Sequence, residues 1–194
     1  MGIIDRIIFR LSNWFLHRRR LRELEILKYR HKVLFGKNVR LGNNWNIEME
    51  TENCKLEIGD DFYTRLGCII RVGEQGVLHI GKNVFFNNYC TVTCLHSIEI
   101  GDNVMFGEGV KVYDHDHLIL KENYLRISRE HFNYGKVVIG KNSWLGSNVI
   151  ILRGVTIGEN VVIGANSVIY KNIPANSIVK TAAGLDITTS TLSN

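Results

Sequence analysis

The sequence predicts an all-β protein: a solenoid of short strands with an amphipathic helix ahead of it and one loop extruded from its coils. Three observations predict this. From Ile139 the chain repeats every six residues, with apolar anchors at Ile139, Leu145, Ile151, Ile157, Ile163 and Ile169. Glycine follows the anchor at Gly140, Gly146, Gly158 and Gly164, and asparagine sits three past it at Asn142, Asn148, Asn160, Asn166 and Asn172. A period of six drifts out of phase with a 3.6-residue helical turn, so it marks short strands joined by tight corners and wound as repeats. The same turn signal recurs upstream as Gly-Lys-Asn at 36–38 and 81–83, Gly-Asp-Asp at 59–61 and Gly-Asp-Asn at 101–103. Glycine and asparagine are the residues that tolerate the positive φ such corners demand. Finally, 18 glycines against a single proline suit regular strands with glycine-dependent turns.

Taken in order, residues 1–32 form the first unit. Ile3, Ile4, Ile7, Ile8, Leu11, Trp14 and Phe15 fall at helical spacing on one stripe, flanked by Arg6, Arg10, Arg18, Arg19, Arg20 and Arg22. Such a stripe packs on the solenoid or a neighbouring subunit, or it lies in a membrane interface with its arginines on anionic headgroups. Residues 2–22 are thus a candidate peripheral membrane contact. The solenoid spans 33–180. Its early coils alternate apolar and polar residues at Val39, Leu41, Leu56, Ile58, Leu66, Val72, Leu78 and Ile80. Ile100, Phe106 and Val112 run in sixes, and the next clean anchor is Ile139. Residues 113–136 between them are polar, aromatic and non-repetitive, and read as a loop excursion, the kind of insertion that carries binding in repeat proteins. Residues 181–194 read as a frayed tail.

The net charge is +5, but 11 of the 24 Lys/Arg and only 3 of the 19 Asp/Glu lie in residues 1–40, which leaves 13 against 16 for the remainder. The solenoid is therefore mildly acidic, which argues against a nucleic-acid partner. Cys54, Cys68, Cys90 and Cys94 show no CxxC pair and are expected as reduced, buried thiols, with no metal assigned to them. No apolar run approaches the roughly 20 residues that span a bilayer, and charges interrupt the first apolar stretch, so it does not read as a secretory signal. The expected location is cytoplasmic, with the inner face of the membrane as the surface residues 2–22 could reach.

With the runs "IGDNVMFGEGVKVYDHDH" (100–117) and "VVIGKNSWLGSNVIILRGVTIGENVVIGANSVIYKNIP" (137–174) in view, the chain resembles the hexapeptide-repeat acyltransferases over roughly residues 35–174. It resembles most the sugar O-acetyltransferases of the maltose and galactoside type and their polysaccharide-modifying branch. The resemblance implies a left-handed parallel β-helix assembled as a homotrimer, with active sites between adjacent subunits. It further implies acetyl-CoA as co-substrate and a saccharide as acceptor, in surface-polysaccharide biosynthesis.

The chemistry concentrates where the repeat breaks, at Tyr113-Asp114-His115-Asp116-His117. A hydroxyl is a poor nucleophile at neutral pH, and histidine is suited to take its proton. The resemblance, matched on the preceding repeat, implies that role for His115, with His117 in reserve; Asp114 or Asp116 is a candidate carboxylate to orient the ring, and Asp114 also stands among the candidate acceptor contacts. By resemblance the amide of Ser147 donates to the oxyanion, a role that backbone N–H groups fill well. Trp144 lines the acceptor cleft or the pantetheine channel, or packs at an interface. Gly146, Ser147, Gly164, Ala165, Ser167, Tyr170 and Lys171 match the coenzyme A rail, with Lys171 able to meet a phosphate. The chain departs from the family at 179–187, "VKTAAGLDI". Asn87 and Asn88 match the acceptor-contacting asparagine. In the loop Tyr124, Arg126, Arg129, His131 and Tyr134 are suited by composition to sugar contacts.

Other readings stay open. The acceptor could be an amino sugar or serine. His96, His115, His117 and His131 are numerous enough for a zinc carbonic anhydrase of this shape. A non-catalytic trimeric scaffold is the third class.

Overall fold

The computed structural model describes residues 22, 24–27, 33–121, 125–182 and 184–189. Residues 22 and 24–27 are helical, and Leu27 is buried against the first coil; the apolar stripe and most of the arginines expected on the helix, together with Tyr124, lie outside the described residues.

The solenoid is a triangular coil of three parallel sheets. The first face stacks Leu34–Phe35, Lys55–Ile58, Val77–Ile80, Ser97–Ile100, Val137–Ile139 and Thr156–Ile157. The second stacks Tyr63–Thr64, Phe85–Phe86, Met105–Phe106, Trp144–Leu145, Val162–Ile163 and Ser177–Ala182. The third stacks Asn46–Met49, Ile69–Val72, Thr91–Cys94, Lys111–Tyr113, Ile150–Ile151 and Val168–Ile169. Ile58, Ile80, Ile100, Ile139 and Ile157 pair in register along the first face, so each coil sets one anchor on the last. The hexads thus turn inward one apolar residue per strand and corner, and the core is a set of columns rather than a single cluster. Phe62, Phe86 and Phe106 form one such column, all fully buried, with Phe86 and Phe106 stacked at 4.3 Å and Phe62 edge-on to Phe86 at 5.1 Å.

The corners are as regular as the core. Asn38, Asp61, Asn83, Asn103, Asn142, Asn160 and Asn176 all take positive φ between 56° and 59°, or 53° at Asn83. Their side chains run up the corner as a ladder, with Asn83 Nδ2 donating to Asn103 at 3.0 Å, Asn103 to Asn142 at 2.9 Å, Asn142 to Asn160 at 3.2 Å and Asn160 to Asn176 at 3.0 Å. Asparagine combines tolerance of this conformation with a donor and an acceptor, which is why the repeat selects it. Gly140 sits where a Cβ would stand 2.4 Å from the Gly158 carbonyl carbon of the next coil, so coil spacing alone forbids a side chain there.

The excursion leaves the solenoid as expected, and its arms are regular: His115–Lys121 and Leu125–Tyr134 pair antiparallel as a β-ribbon. The alternation along its two arms pairs residues across the strands, a signal weak in the sequence because residues 122–124 between them include neither glycine nor proline. Ser177–Ala182 joins the second face, and of the tail expected to fray over 181–194, Gly184–Thr189 pairs antiparallel to that strand at the sheet's end.

Candidate active site

The ribbon leaves the solenoid at the corner between the third and first faces. Its cross-strand partners are His115 with Tyr134, Asp116 with Asn133, and His117 with Phe132. Because side chains alternate across a strand, His115, His117, Phe132 and Tyr134 share one face of the ribbon and Asp116 and Asn133 the other. The rings form a continuous array: His115 lies edge-on to Phe132 at 5.4 Å, His117 beside Phe132 at 4.8 Å, and His96 of the preceding coil beside Tyr134 at 5.9 Å. The opposite face is the anchor. Asp116 accepts from Asn133 Nδ2 at 2.8 Å and from Arg153 Nε at 2.5 Å, which ties the ribbon base to the next coil.

Asp114 is fully buried, one residue past the Thr93–Tyr113 pair, at a position that Cys94 fills in the coil before. Its Oδ2 accepts from the amides of His96 at 2.8 Å and Ser97 at 2.7 Å; its Oδ1 accepts from the Leu95 amide at 2.9 Å and lies 3.0 Å from His115 Nδ1. Burial pushes this carboxyl upward, but the bonds from His115 and the three amides outweigh it and hold the group below its ordinary value. Asp114 is therefore ionised. It assigns the His115 proton to Nδ1 and leaves Nε2 as the basic nitrogen of a ring that is 15% exposed. Burial first, and then the charge of Asp114, push the Cys94 thiol up, so it stays neutral beside the carboxylate. Of the two carboxylates considered for orienting His115, Asp114 is the one in contact. Asp114 was also expected among the acceptor contacts; its burial and its four engaged partners correct that, and it reaches the site only through the histidine. His117 is fixed differently, with Nδ1 at 2.9 Å from the Ser128 carbonyl oxygen and no carboxylate behind it among the described residues.

A second group of expected residues gathers on the second face. A cleft of about 340 Å³ is lined by Phe85, Asn87, Met105, Phe106, Gly107, Trp144 and Ser147. Trp144 is half-exposed and stacks in the outward column with Met105 and Phe85. The Ser147 N–H has no hydrogen-bond partner among the described residues. Asn87 Oδ1 accepts from the Asn88 amide at 2.9 Å and faces Arg65 Nη1 at 3.4 Å, which leaves the Asn87 Nδ2 as a donor. Asn88 does not join the cleft: its side chain accepts from the Leu66 amide at 3.2 Å and donates to Glu108 at 3.4 Å, spent in a corner ladder. His115 is not among the lining residues, so one chain holds the histidine and the cleft on separate surfaces.

Along the last coils Ala165, Tyr170 and Lys171 are exposed, and Gly164 is partly so. Gly146 is buried with its Cα against the Ala165 backbone of the next coil. Ser167 is corrected: its hydroxyl is buried and donates to the Gly164 carbonyl oxygen at 2.7 Å, so it faces the core and not a ligand. All four cysteines are free and buried. Among the described residues no group of three or more His, Cys, Asp or Glu is placed to hold a metal ion, and His131 Nδ1 lies against Ser128 Oγ at 3.1 Å. Phe132, His96, Arg65 and Gly107 contribute to these surfaces without having been singled out for them; the pairing of His-Asp-His with Phe-Asn-Tyr across the ribbon was the available signal for Phe132.

A triangular parallel β-helix wound from six-residue repeats, with a histidine ribbon at one corner and a small cleft on one face, has the architecture of the hexapeptide-repeat proteins. The bacterial transferase hexapeptide (six repeats) family matches residues 136–171. The galactoside O-acetyltransferase of Escherichia coli K12 is 40% identical over 108 residues, 56% of this chain and 50% of that protein. The polysialic acid O-acetyltransferase of Neisseria meningitidis is 32% identical over 134 residues, 68% of this chain and 60% of that one. The crystal structure of a maltose O-acetyltransferase from Clostridium difficile superposes with a TM-score of 0.50 at 30% identity, covering 80% of this chain and 70% of that one. The chain belongs to the hexapeptide-repeat, left-handed β-helix acyltransferase family. It spans one half and three fifths of the length of the two enzymes matched by sequence.

Proposed function

We propose that the chain is an acetyl-CoA-dependent O-acetyltransferase that acts on a sugar hydroxyl in surface-polysaccharide biosynthesis, with His115 as general base. The observation that carries this is the Asp114–His115 pair. A buried, ionised carboxylate at Nδ1 leaves Nε2 free to accept a proton and stabilises the imidazolium that results, whereas His117 has only a neutral carbonyl behind it. In the reaction Nε2 takes the proton from the acceptor hydroxyl as its oxygen attacks the thioester carbonyl. The Ser147 N–H, without a partner among the described residues, and Asn87 Nδ2 suit the oxyanion, for which such donors contribute about 3–4 kcal/mol each. Collapse breaks the carbon–sulfur bond, and the proton on His115 leaves with the thiolate of coenzyme A. The exposed Gly164–Ala165 and Tyr170–Lys171 segments suit the donor, with Lys171 toward a phosphate.

Since histidine and cleft lie on separate surfaces of one chain, the reading requires a homotrimer in which the ribbon of one subunit faces the cleft of the next. No helix among the described residues is long and apolar enough to cross a membrane. The stripe within residues 2–22 offers instead a peripheral contact that would hold the enzyme near lipid-linked glycans at the inner membrane face; failure of the full-length chain to float with anionic liposomes removes that part. The test of the function is acetyl-CoA turnover against a panel of sugars and nucleotide sugars, with wild type beside His115→Ala. Transfer falls at least about 100-fold in the variant while coenzyme A binding is kept; an unchanged rate ends the histidine assignment.

A further inference from the structure

The corner that carries His115 presents a second feature that the transfer chemistry leaves unused. Three exposed side chains from successive coils stack there: Glu74, His96 and Tyr134. The stacking is fixed by backbone bonds, with the Val77 amide on the His96 carbonyl oxygen at 3.0 Å, the amides of His96 and Ser97 on the Asp114 carboxylate, and the Gly135 amide on the Asp114 carbonyl oxygen at 2.8 Å. Tyr134 is the direct cross-strand partner of His115, and its ring lies 5.9 Å from that of His96 at a tilt of 39°. Its hydroxyl has no hydrogen-bond partner among the described residues, and neither has the Glu74 carboxylate. Glu74 itself takes a positive φ of 45° at the tight Gly73–Gly76 corner, a backbone that favours glycine or asparagine. Thr51 Oγ1 holds it there through the Glu74 carbonyl oxygen, so the side chain is projected outward. By contrast Glu50 is spent on Arg71, and Glu57 lies beside His79 at 3.3 Å.

We propose that Tyr134, His96 and Glu74 form the acceptor subsite, and that it takes a neutral hexopyranose in preference to an acidic sugar; this rests on the reading of His115 as the base. The two rings offer the C–H face of a pyranose a platform beside the basic nitrogen, and Tyr134 Oη and the Glu74 carboxylate supply one donor and two acceptors for its hydroxyls. A fixed anion at the rim, with the buried Asp114 behind it, repels a hexuronate or sialate carboxylate. At partly exposed separations of several ångströms that repulsion corresponds to about tenfold in affinity. The corner thereby differs in charge preference from what an enzyme acting on polysialic acid requires.

The experiment compares methyl glucoside with methyl glucuronide, which differ only at C6, on the purified full-length chain. Binding is followed by ligand-observed NMR without donor, and transfer with acetyl-CoA. The glucoside is expected to bind about tenfold tighter than the glucuronide. Glu74→Gln should narrow the gap to within about threefold, and Tyr134→Leu should weaken both ligands at least about fivefold with coenzyme A affinity unchanged. Equal or tighter glucuronide binding, an unaltered preference in Glu74→Gln, or no binding of either glycoside overturns the subsite. Binding with the expected preference but without acetyl transfer leaves the subsite standing and refutes the transferase reading instead.

Discussion

Replacing Asp114 by asparagine changes one atom and strikes two functions at once. In the native corner the carboxylate accepts from three successive amides at 2.7–2.9 Å and from His115 Nδ1. An asparagine can keep the bonds from His96 and Ser97 only by turning its oxygen toward them. Its amide nitrogen then faces the Leu95 N–H, donor against donor, and that buried amide loses its acceptor at a cost of about 1–3 kcal/mol. The two bonds that survive pass from a charged to a neutral acceptor and weaken by roughly half. The sum is about 3 kcal/mol, or about 6–12 °C in melting temperature for a chain of this length. The same amide nitrogen donates to His115 Nδ1, which moves the ring proton to Nε2, so the basic nitrogen is lost and transfer falls about 10²- to 10⁴-fold. The pH dependence carries an independent signature. The Asp114 carboxyl is held below its ordinary value in the fold, so its contribution is complete above the unfolded value near about 3.9 and is lost as pH falls through that value toward the folded one. Wild type therefore melts at a steady temperature above about pH 5 and progressively lower below about pH 4, and Asp114→Asn lacks this component. Thermal melts between about pH 3 and 7, with transfer rates measured well below the variant's melting point, check both effects. A variant that melts within about 2 °C of wild type at neutral pH and keeps more than half its rate refutes the reasoning.

Two further substitutions separate scaffold from site. Gly107→Ala places a Cβ 2.6 Å from the Ser147 nitrogen and 2.7 Å from the Gly146 carbonyl carbon, so it should lower the transfer rate by about tenfold or more with a smaller effect on coenzyme A affinity; equal loss in both would show a general collapse of the cleft. Phe106→Ala removes the ring stacked on Phe86 in the fully buried column and should cost about 3–5 kcal/mol in denaturant unfolding, and a loss under about 1 kcal/mol would mean the column repacks.

The parts of the fold that repeat were legible because the same physical demand recurs in every coil. Ile139, Leu145, Ile151, Ile157, Ile163 and Ile169 announce the core, and Asn142 and Asn160 announce a corner that only a few residue types can turn. The parts that occur once were read less well. The pairing within the excursion is not legible in the sequence, because residues 122–124 between its arms include neither glycine nor proline, and because Asp116 and Asn133, which anchor it, look like ordinary surface residues until they are paired. Ser167 and Asn88 read as site residues in the sequence because small and amide side chains serve corners and ligands alike. Burial and hydrogen-bond partners separate the two uses, and neither is present in a sequence. Likewise Tyr89 at φ 59° occupies a position where Asn148 and Asn166 stand in later coils, and its ring covers Gly67, where a Cβ would meet it at 2.6 Å.

Asp114 shows why the end of the repeat, more than the repeat, carries the functional argument. Its register position belongs to the core: Val72 pairs with Cys94 on the third face, and Asp114 follows them one coil on. A carboxylate in such a column is costly unless every lone pair is met. Here the cost is offset because the chain leaves the coil at that residue. The corner at 95–97 turns three amides toward it, and the departing strand brings His115 Nδ1 to the remaining oxygen. The ribbon and the buried charge therefore explain each other. Without the carboxylate the 95–97 amides lack acceptors, and without the departing strand the fourth hydrogen bond to the carboxylate is lost. A substitution that returns this position to the apolar pattern, as the hexad rule alone would recommend, removes the acceptor for three backbone donors and the partner of the proposed base in one step.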